Sequence, residues 1–204
     1  MERDSTAPNG GGPGCPGAPP FRPCTVVLAR PRDGSVAAID RRREIGGLEM
    51  DRELQELVDR RAIDDLLLRY TTALDTRQWD LLDQVFTTDA QIDYATSGGI
   101  KGNREDLKRW FREEAFTPFT SWQHHLTNMA VELDGDAATG RTSVYNPLAF
   151  IGEDGANAVL HVGAWYDDRF ARTPDGWRIT ERSLGMAWTD GPFPATVPAL
   201  PDTP

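Results

Sequence analysis

The sequence predicts an α+β protein in which one curved antiparallel sheet packs onto helices that precede it in the chain. Two observations predict this class. Apolar residues recur at helical spacing in the first half of the folded region, and alternating apolar and polar residues with turn signals dominate the second half. When helices come first and antiparallel hairpins follow, the sheet must cover the helices to bury a common core.

Three helices are predicted in the first half. A long first helix is indicated by one apolar stripe that includes Leu54, Leu66 and Leu74. A short second helix is predicted over residues 79–86. A third helix opens at Asn103, because asparagine is favoured at the N-cap position.

The predicted strands begin between the second and third helices, where Ala90, Ile92 and Tyr94 alternate with polar residues. Everything after the third helix is predicted as strand. Two hairpins are expected, residues 124–133 and 137–145 around Asp134-Gly135-Asp136, and residues 159–170 and 177–188 around Pro174-Asp175-Gly176.

Length and composition restrict the protein class. A chain of 204 residues that is 39% hydrophobic can bury one substantial core. The net charge of -10 argues against binding to nucleic acid or to anionic membranes, because an acidic surface repels phosphates. Cys15 and Cys24 are the only cysteines, so neither a disulfide framework nor a four-thiolate zinc site is expected. With no signal-peptide or membrane-spanning pattern, a cytoplasmic protein is predicted.

The two ends of the chain differ from its centre. Residues 1–49 are rich in glycine and proline and are predicted to be disordered, because they offer little apolar surface to bury. Residues 50–189 are predicted to form the folded domain, and Met50 is a candidate for its functional start and for the true initiator. Residues 190–204 are proline-rich and are predicted to form an extended tail over the domain or a neighbouring subunit.

Two of the three histidines lie in the strand-like segment 121–128. Histidine titrates nearest neutrality, so this pair is a candidate acid/base centre, although a histidine on a strand also serves structural roles. Alternation along the strand favours His125 on the apolar face. A β-bulge near Thr127 would allow His124 to face inward instead, so both histidines stay candidates on the residue pattern alone.

Seven short motifs occur in one order between residues 50 and 188. They are Arg69-Tyr70-Thr71-Thr72-Ala73-Leu74-Asp75, Trp79-Asp80-Leu81-Leu82 with Val85-Phe86-Thr87-Thr88-Asp89-Ala90, Ile92-Asp93-Tyr94, His124 with Asn128, Asp134-Gly135-Asp136-Ala137-Ala138, Tyr166-Asp167-Asp168-Arg169-Phe170, and Asp175-Gly176-Trp177-Arg178-Ile179. Together they resemble the SnoaL-like polyketide cyclase and scytalone dehydratase superfamily. This resemblance implies the cone-shaped α+β barrel shared with nuclear transport factor 2.

The resemblance also implies a deep pocket lined by the first helix, the third helix and the inner sheet face. In the dehydratase branch an Asp holds a proton-transferring His, and these positions match Asp75 and His124. The tyrosine that polarises a carbonyl through ordered water matches Tyr94. Leu74 stands in place of a second catalytic tyrosine, and the second His and the Ser and Asn pair of that branch have no match. A substrate other than scytalone is therefore expected. Further substrate-binding candidates are Asn128, His125, Trp110, Tyr70 and His161.

General chemistry supports the same assignment. A carboxylate that accepts the proton of one imidazole nitrogen leaves the other nitrogen free as a base, and Tyr94 can donate to a substrate oxygen. Asn128 shares the face of His124 if no bulge intervenes. Each residue also has a structural interpretation. Asp75 could be a turn residue at the end of the helix, Tyr94 could belong to the core, and Asn128 could bind an exposed backbone group.

No metal or cofactor is predicted, because His124, His161 and Asp75 lack metal-ligand spacing. Asp168 and Arg182 are predicted as strand-surface charges.

Two function classes follow. The first is a cofactor-independent lyase or isomerase, a dehydratase or polyketide-type cyclase, that acts by His/Asp acid–base catalysis on a small, largely apolar carbonyl or hydroxyl compound. The alternative is a non-catalytic ligand-binding or assembly module of the same fold, like the small subunit of aromatic-ring dioxygenases. The resemblance also implies a homodimer or homotrimer formed through the outer sheet face, where Trp165 or Trp188 would suit an interface.

Overall fold

The computed structural model of this protein describes residues 36–195, and it describes side chains from Met50 onward. The first helix, α1, spans Val36–Asp75 and so begins upstream of the predicted boundary at Met50. Residues 36–49, which belong to the predicted disordered segment, are helical in the structure, because Ala, Arg and Glu there have high helix propensity that outweighs Gly46 and Gly47. The bounds of the folded domain stay a prediction. The rest of the predicted disordered segment, residues 1–35, and residues 196–204 of the predicted tail lie outside the described residues.

The remaining elements follow in the predicted order. A 3-10 helix spans Trp79–Gln84, and a π-helical turn at Phe111–Ala115 extends the short helix α2, Arg104–Trp110. Asn103 caps α2 as predicted, since its side chain accepts from the backbone N–H groups of Glu105 and Asp106. The strands are β1 Phe86–Asp93, β2 Lys101–Gly102, β3 Ser121–Trp122, β4 His125–Asp134, β5 Ala137–Ile151, β6 Asn157–Thr173 and β7 Gly176–Asp190.

The predicted α+β class is confirmed, with two corrections to the sheet. The strand order is β2-β1-β7-β6-β5-β3, and β4 also pairs with β5, so the described sheet is open rather than a closed barrel. In addition, β1 and β7 run parallel, whereas the other pairs are antiparallel. A period of two in the sequence carries no information about strand direction, which explains the second difference.

The core lies between α1 and the inner face of the sheet. From α1 it includes Ile63, Leu66 and Tyr70, which are at most 2% exposed. Leu54 and Leu57 belong to the predicted apolar stripe but are 58% and 65% exposed. Among the α1 side chains that the structure describes, Asp59 is the first that is buried.

Asp59 fastens α1 to the last hairpin of the sheet. Its buried carboxylate accepts two hydrogen bonds from Arg172, at 2.8 and 2.6 Å, and one from the indole N–H of Trp177 at 3.2 Å. The hydrogen bonds from Arg172 hold the pKa of Asp59 below its ordinary value of 3.8, although burial opposes this shift.

Asp59→Asn is expected to lower the free energy of unfolding at neutral pH by about 1.5–3 kcal/mol, the worth of hydrogen bonds to a charged group. Because folding lowers the pKa of Asp59, its contribution is complete above 3.8 and is lost as pH falls below that value. As the pH falls, the free energy of unfolding of Asp59→Asn should therefore decrease less than that of the wild type. Urea unfolding at stepped acidic pH measures this, with Asp136→Asn, the exposed partner of Arg172, as control. Parallel pH curves for wild type and Asp59→Asn would contradict the assignment.

No helix in the described part of the chain is both long and apolar enough to cross a membrane. The cytoplasmic location stays a prediction.

Candidate active site

His124 occupies a gap in the sheet ladder. β3 ends at Trp122 opposite Leu148, and β4 begins at His125 opposite Tyr145. His124 lies between them, outside both ladders, and is 8% exposed. Its backbone is therefore free to bond outside the sheet.

A bulge in β4 settles which histidine faces inward. The pairing register shifts between Thr127 and Ala130, and Asn128 has a positive φ of 44°. Before the bulge the even-numbered residues of this segment face inward, and after it the odd-numbered residues do. His124 lies on the inner side before it, and Val131 lies on the inner side after it, so the predicted bulge near Thr127 is present.

Asp75, the last residue of α1, binds His124 at two points. Oδ1 of Asp75 lies 2.7 Å from Nδ1 of His124, and the backbone N–H of His124 donates to both carboxylate oxygens at 3.1 Å. The second contact fixes the carboxylate, which in turn fixes the imidazole. With its proton on Nδ1, His124 keeps a lone pair on Nε2 and can act as a base.

Asn146 is the neighbour of His124 on the other side. It lies in β5, and its Nδ2 donates toward Nε2 of His124 at 3.3 Å. The rings of Tyr70 and Phe116 approach the imidazole edge-on, with centroid distances of 6.5 and 6.1 Å. The sequence alone does not identify Asn146, because only the pairing of β4 with β5, in which His125 lies opposite Tyr145, brings it next to His124.

Three buried tyrosines form a hydroxyl cluster beside the histidine. The hydroxyl of Tyr70 lies 2.7 Å from that of Tyr94 and donates to that of Tyr166 at 3.5 Å. Burial raises the pKa of all three hydroxyls above the ordinary value of 10.0. They are therefore neutral hydrogen-bond donors at physiological pH. Tyr166 begins the motif Tyr166-Asp167-Asp168-Arg169-Phe170 but is not among the predicted site residues.

A buried ion pair supports the tyrosine cluster. Arg182 donates to Asp168 through Nε at 2.6 Å and Nη2 at 2.7 Å, and both side chains are 0% exposed. The guanidinium carbon lies 4.3 Å from the ring centroid of Tyr70 and 4.1 Å from that of Tyr166. Burial alone would lower the pKa of Arg182, but the Asp168 carboxylate raises it, so the cation persists. The prediction that Asp168 and Arg182 are surface charges is wrong, because both point to the inner face.

The family model described as a SnoaL-like domain matches residues 55–183 of this chain. The chain belongs to the SnoaL-like domain family.

The chain is also similar to individual proteins and solved structures. Rv2910c of Mycobacterium tuberculosis is 46% identical over 127 residues, which cover 62% of this chain and 84% of that protein. The crystal structure of Kfla4162 from Kribbella flavida superposes with a TM-score of 0.61 at 27% identity and covers 66% of this chain and 95% of that one. Hexachlorocyclohexane dehydrochlorinase LinA-type3 from Novosphingobium barchaimii has a TM-score of 0.60 at 20% identity, covering 74% and 99% respectively. At that identity the last likeness shows the fold alone.

The predicted binding residues of the SnoaL-like domain separate into two groups. Tyr70 belongs to the hydroxyl cluster, and Trp110 packs edge-on against Tyr94 at 6.0 Å. His125 and His161 instead lie on the outer sheet face. Both stack on Tyr145, with ring centroids 5.7 and 5.9 Å apart.

The structure therefore does not bring His125, His161 and Asn128 together with His124. Strand alternation directs both histidines away from His124, and the bulge leaves the exposed Asn128 off the inner face. Because His161 is on the opposite face, it does not converge with His124 and Asp75.

A groove of about 720 Å³ crosses the outer face of the SnoaL-like sheet, away from the histidine. Its cations pair with neighbouring acids, as in Arg141 with Asp167 at 2.6 Å and Lys101 with Asp93 at 2.7 Å. Neither His124 nor Asp75 lines it. The deep pocket inside the cone stays a prediction.

Proposed function

We propose that this SnoaL-like protein is a cofactor-independent lyase or isomerase, a dehydratase or polyketide-type cyclase, that acts on a small, largely apolar carbonyl or hydroxyl compound. The observation that carries the proposal is the 2.7 Å contact between Asp75 and the buried His124. Such a pair positions a neutral imidazole to take a proton from carbon and to return it elsewhere.

The proposed reaction begins when Nε2 of His124 removes a proton from the carbon next to a carbonyl group. The electron pair of that C–H bond moves to the carbonyl oxygen, which becomes an enolate oxygen. Asp75 stabilises the imidazolium that forms. In a dehydratase the enolate expels a hydroxyl group from the neighbouring carbon, which leaves as water with the proton from His124. In an isomerase whose substrate has a C=C bond conjugated with the carbonyl group, the far carbon of that system takes the proton. In a cyclase the enolate carbon attacks a second carbonyl carbon, and the oxygen of that carbonyl takes the proton.

The tyrosine cluster and Arg182 can stabilise the charge that develops on oxygen. Tyr94 and Tyr166 carry neutral hydroxyl groups that can donate, and the Tyr70 hydroxyl is bonded to both of them. Arg182 supplies a fixed positive charge beside the rings of Tyr70 and Tyr166. Donors that are held in place before the reaction need no reorganisation when charge appears, which makes them effective inside a protein.

The fold is compatible with lyase chemistry, since one structural relative is named as a dehydrochlorinase. Because that relative is only 20% identical to this chain, it gives no information about the substrate of this chain. The proposal rests on the geometry of Asp75 and His124.

Deuterium exchange tests the proposed proton transfer without knowledge of the natural substrate. Cyclohexanone is incubated with the protein in D2O, and ¹H NMR follows the loss of the protons next to the carbonyl. Exchange above the buffer rate is expected for wild type and for the control His125→Ala, whose ring faces outward, but not for His124→Ala. Equal exchange in His124→Ala and wild type would refute the proposal.

One observation favours the alternative, a non-catalytic ligand-binding or assembly module. Tyr70, Tyr94 and Tyr166 are 1–3% exposed, so the cone beside His124 is densely filled. Under this alternative the cluster is a structural core, and neither His124→Ala nor wild type exchanges the ketone protons faster than buffer.

We also propose that the protein is a homodimer or homotrimer assembled through the outer sheet face. Trp188 and Tyr145 stack there at 6.2 Å and are 47% and 37% exposed, a surface suited to burial between subunits. Trp188→Ala is expected to lower the mass measured by light scattering at micromolar concentration, whereas Leu68→Ala on the exposed side of α1 should not. A monomeric wild type would contradict this proposal.

A further inference from the structure

Asn146 is placed opposite His124 by the pairing of neighbouring strands. On β5 it follows Tyr145, the partner of His125, and its Cα partner on β6 is Val162. Its side chain lies on the inner face of the sheet and is half-buried. Asn146 therefore lies on the same face as the imidazole and in contact with it.

The orientation of the Asn146 amide follows from the state of His124. Because Asp75 accepts the Nδ1 proton, Nε2 is an acceptor, and the amide nitrogen of Asn146 must face it, at 3.3 Å. The amide oxygen then points away from the ring. This oxygen is buried and receives no hydrogen bond from any residue that the structure describes.

Two donors around His124 are already bonded to other partners. The hydroxyl of Tyr70 lies within the tyrosine cluster, and the indole N–H of Trp122 donates to the carbonyl oxygen of Leu74 at 3.1 Å. Leaving a buried acceptor without a donor costs about 1–3 kcal/mol, so such an atom calls for an explanation.

We propose that Oδ1 of Asn146 binds a hydroxyl group of the substrate, and that this contact selects hydroxylated compounds. The inference rests on the proposed function, since it places the hydroxyl on the carbon next to the one that faces Nε2 of His124. Nδ2 and Oδ1 belong to the same amide group, so a ligand carbon beside Nε2 of His124 brings the substituent on its neighbouring carbon close to Oδ1. A halogen or an ether oxygen would direct lone pairs at Oδ1 and gain no bond.

Three ring ketones test the selection: cyclohexanone, 3-hydroxycyclohexanone and 3-methoxycyclohexanone, with dissociation constants from ligand titration by NMR. We expect wild type to bind the hydroxy compound about tenfold more tightly than the methoxy compound, the usual worth of one hydrogen bond. Asn146→Leu should lose this preference and still bind cyclohexanone. Asn146→Asp, which keeps an acceptor oxygen, should retain the preference, as should the control Asn157→Leu on the exposed start of β6.

The outcomes separate this inference from the proposed function. Equal binding of the hydroxy and methoxy compounds by wild type overturns the inference. A preference that survives in Asn146→Leu also overturns it, and so does a wild type that binds none of the three ketones. If in those cases deuterium exchange still depends on His124, the proposed function stands. A hydroxyl preference that depends on Asn146, in a protein without His124-dependent exchange, supports the subsite and rejects the catalysis.

Discussion

His124→Ala and Asp75→Asn are each expected to lower turnover by about a hundredfold or more, the usual worth of a positioned acid/base group. The alanine variant removes the base. The asparagine variant keeps the shape of Asp75 but removes the charge that holds the Nδ1 proton and stabilises the imidazolium. The measurement is the rate of ketone proton exchange, and later of the natural reaction.

The double variant distinguishes a working pair from two independent residues. Because Asp75 acts through His124, removing both should cost much less than the product of the two single losses. Tyr94→Phe should show a smaller loss, which grows with the charge developed on the substrate oxygen. His125→Ala is the matched control and should keep full turnover. Full activity in His124→Ala together with collapse in His125→Ala would reverse the assignment along the strand.

Asp168→Leu is expected to destabilise the fold by about 3–5 kcal/mol, because it leaves the charge of Arg182 buried without a partner. The apolar double variant Asp168→Leu with Arg182→Met should recover most of this loss, since it removes both charges together. Chemical unfolding of the three proteins measures the effect.

A neighbouring exposed ion pair provides the control for this test. Arg141 and Asp167 form two short hydrogen bonds on the outer face, at 2.6 and 2.7 Å, yet Asp167→Leu should barely change the unfolding midpoint, since water solvates the remaining charge. A double variant of Asp168 and Arg182 that is no more stable than Asp168→Leu would show that the rings around Arg182, rather than its charge pairing, determine stability.

The sequence was sufficient for what depends on local pattern. The buried part of the α1 stripe, the cap at Asn103 and the order of elements along the chain follow from spacing or residue type, and the conflict between His124 and His125 pointed to the bulge near Thr127. Asn146 could not be found this way, because its closeness to His124 depends on register between distant strands. Asp168 and Arg182 were misplaced because charged residues on strands are normally solvated, and only the fold shows that they neutralise each other inside.

The gap between β3 and β4 makes the backbone amide of His124 a probe of the contact between α1 and the sheet. Because the backbone amide of His124 bonds to the Asp75 carboxylate rather than to another strand, its hydrogen exchange with solvent depends on that carboxylate. Neighbouring amides of β5 are protected by the ladder. Exchange at this one amide can therefore be followed while the sheet stays intact, and it records how often α1 and the sheet separate at the point where the two halves of the site meet.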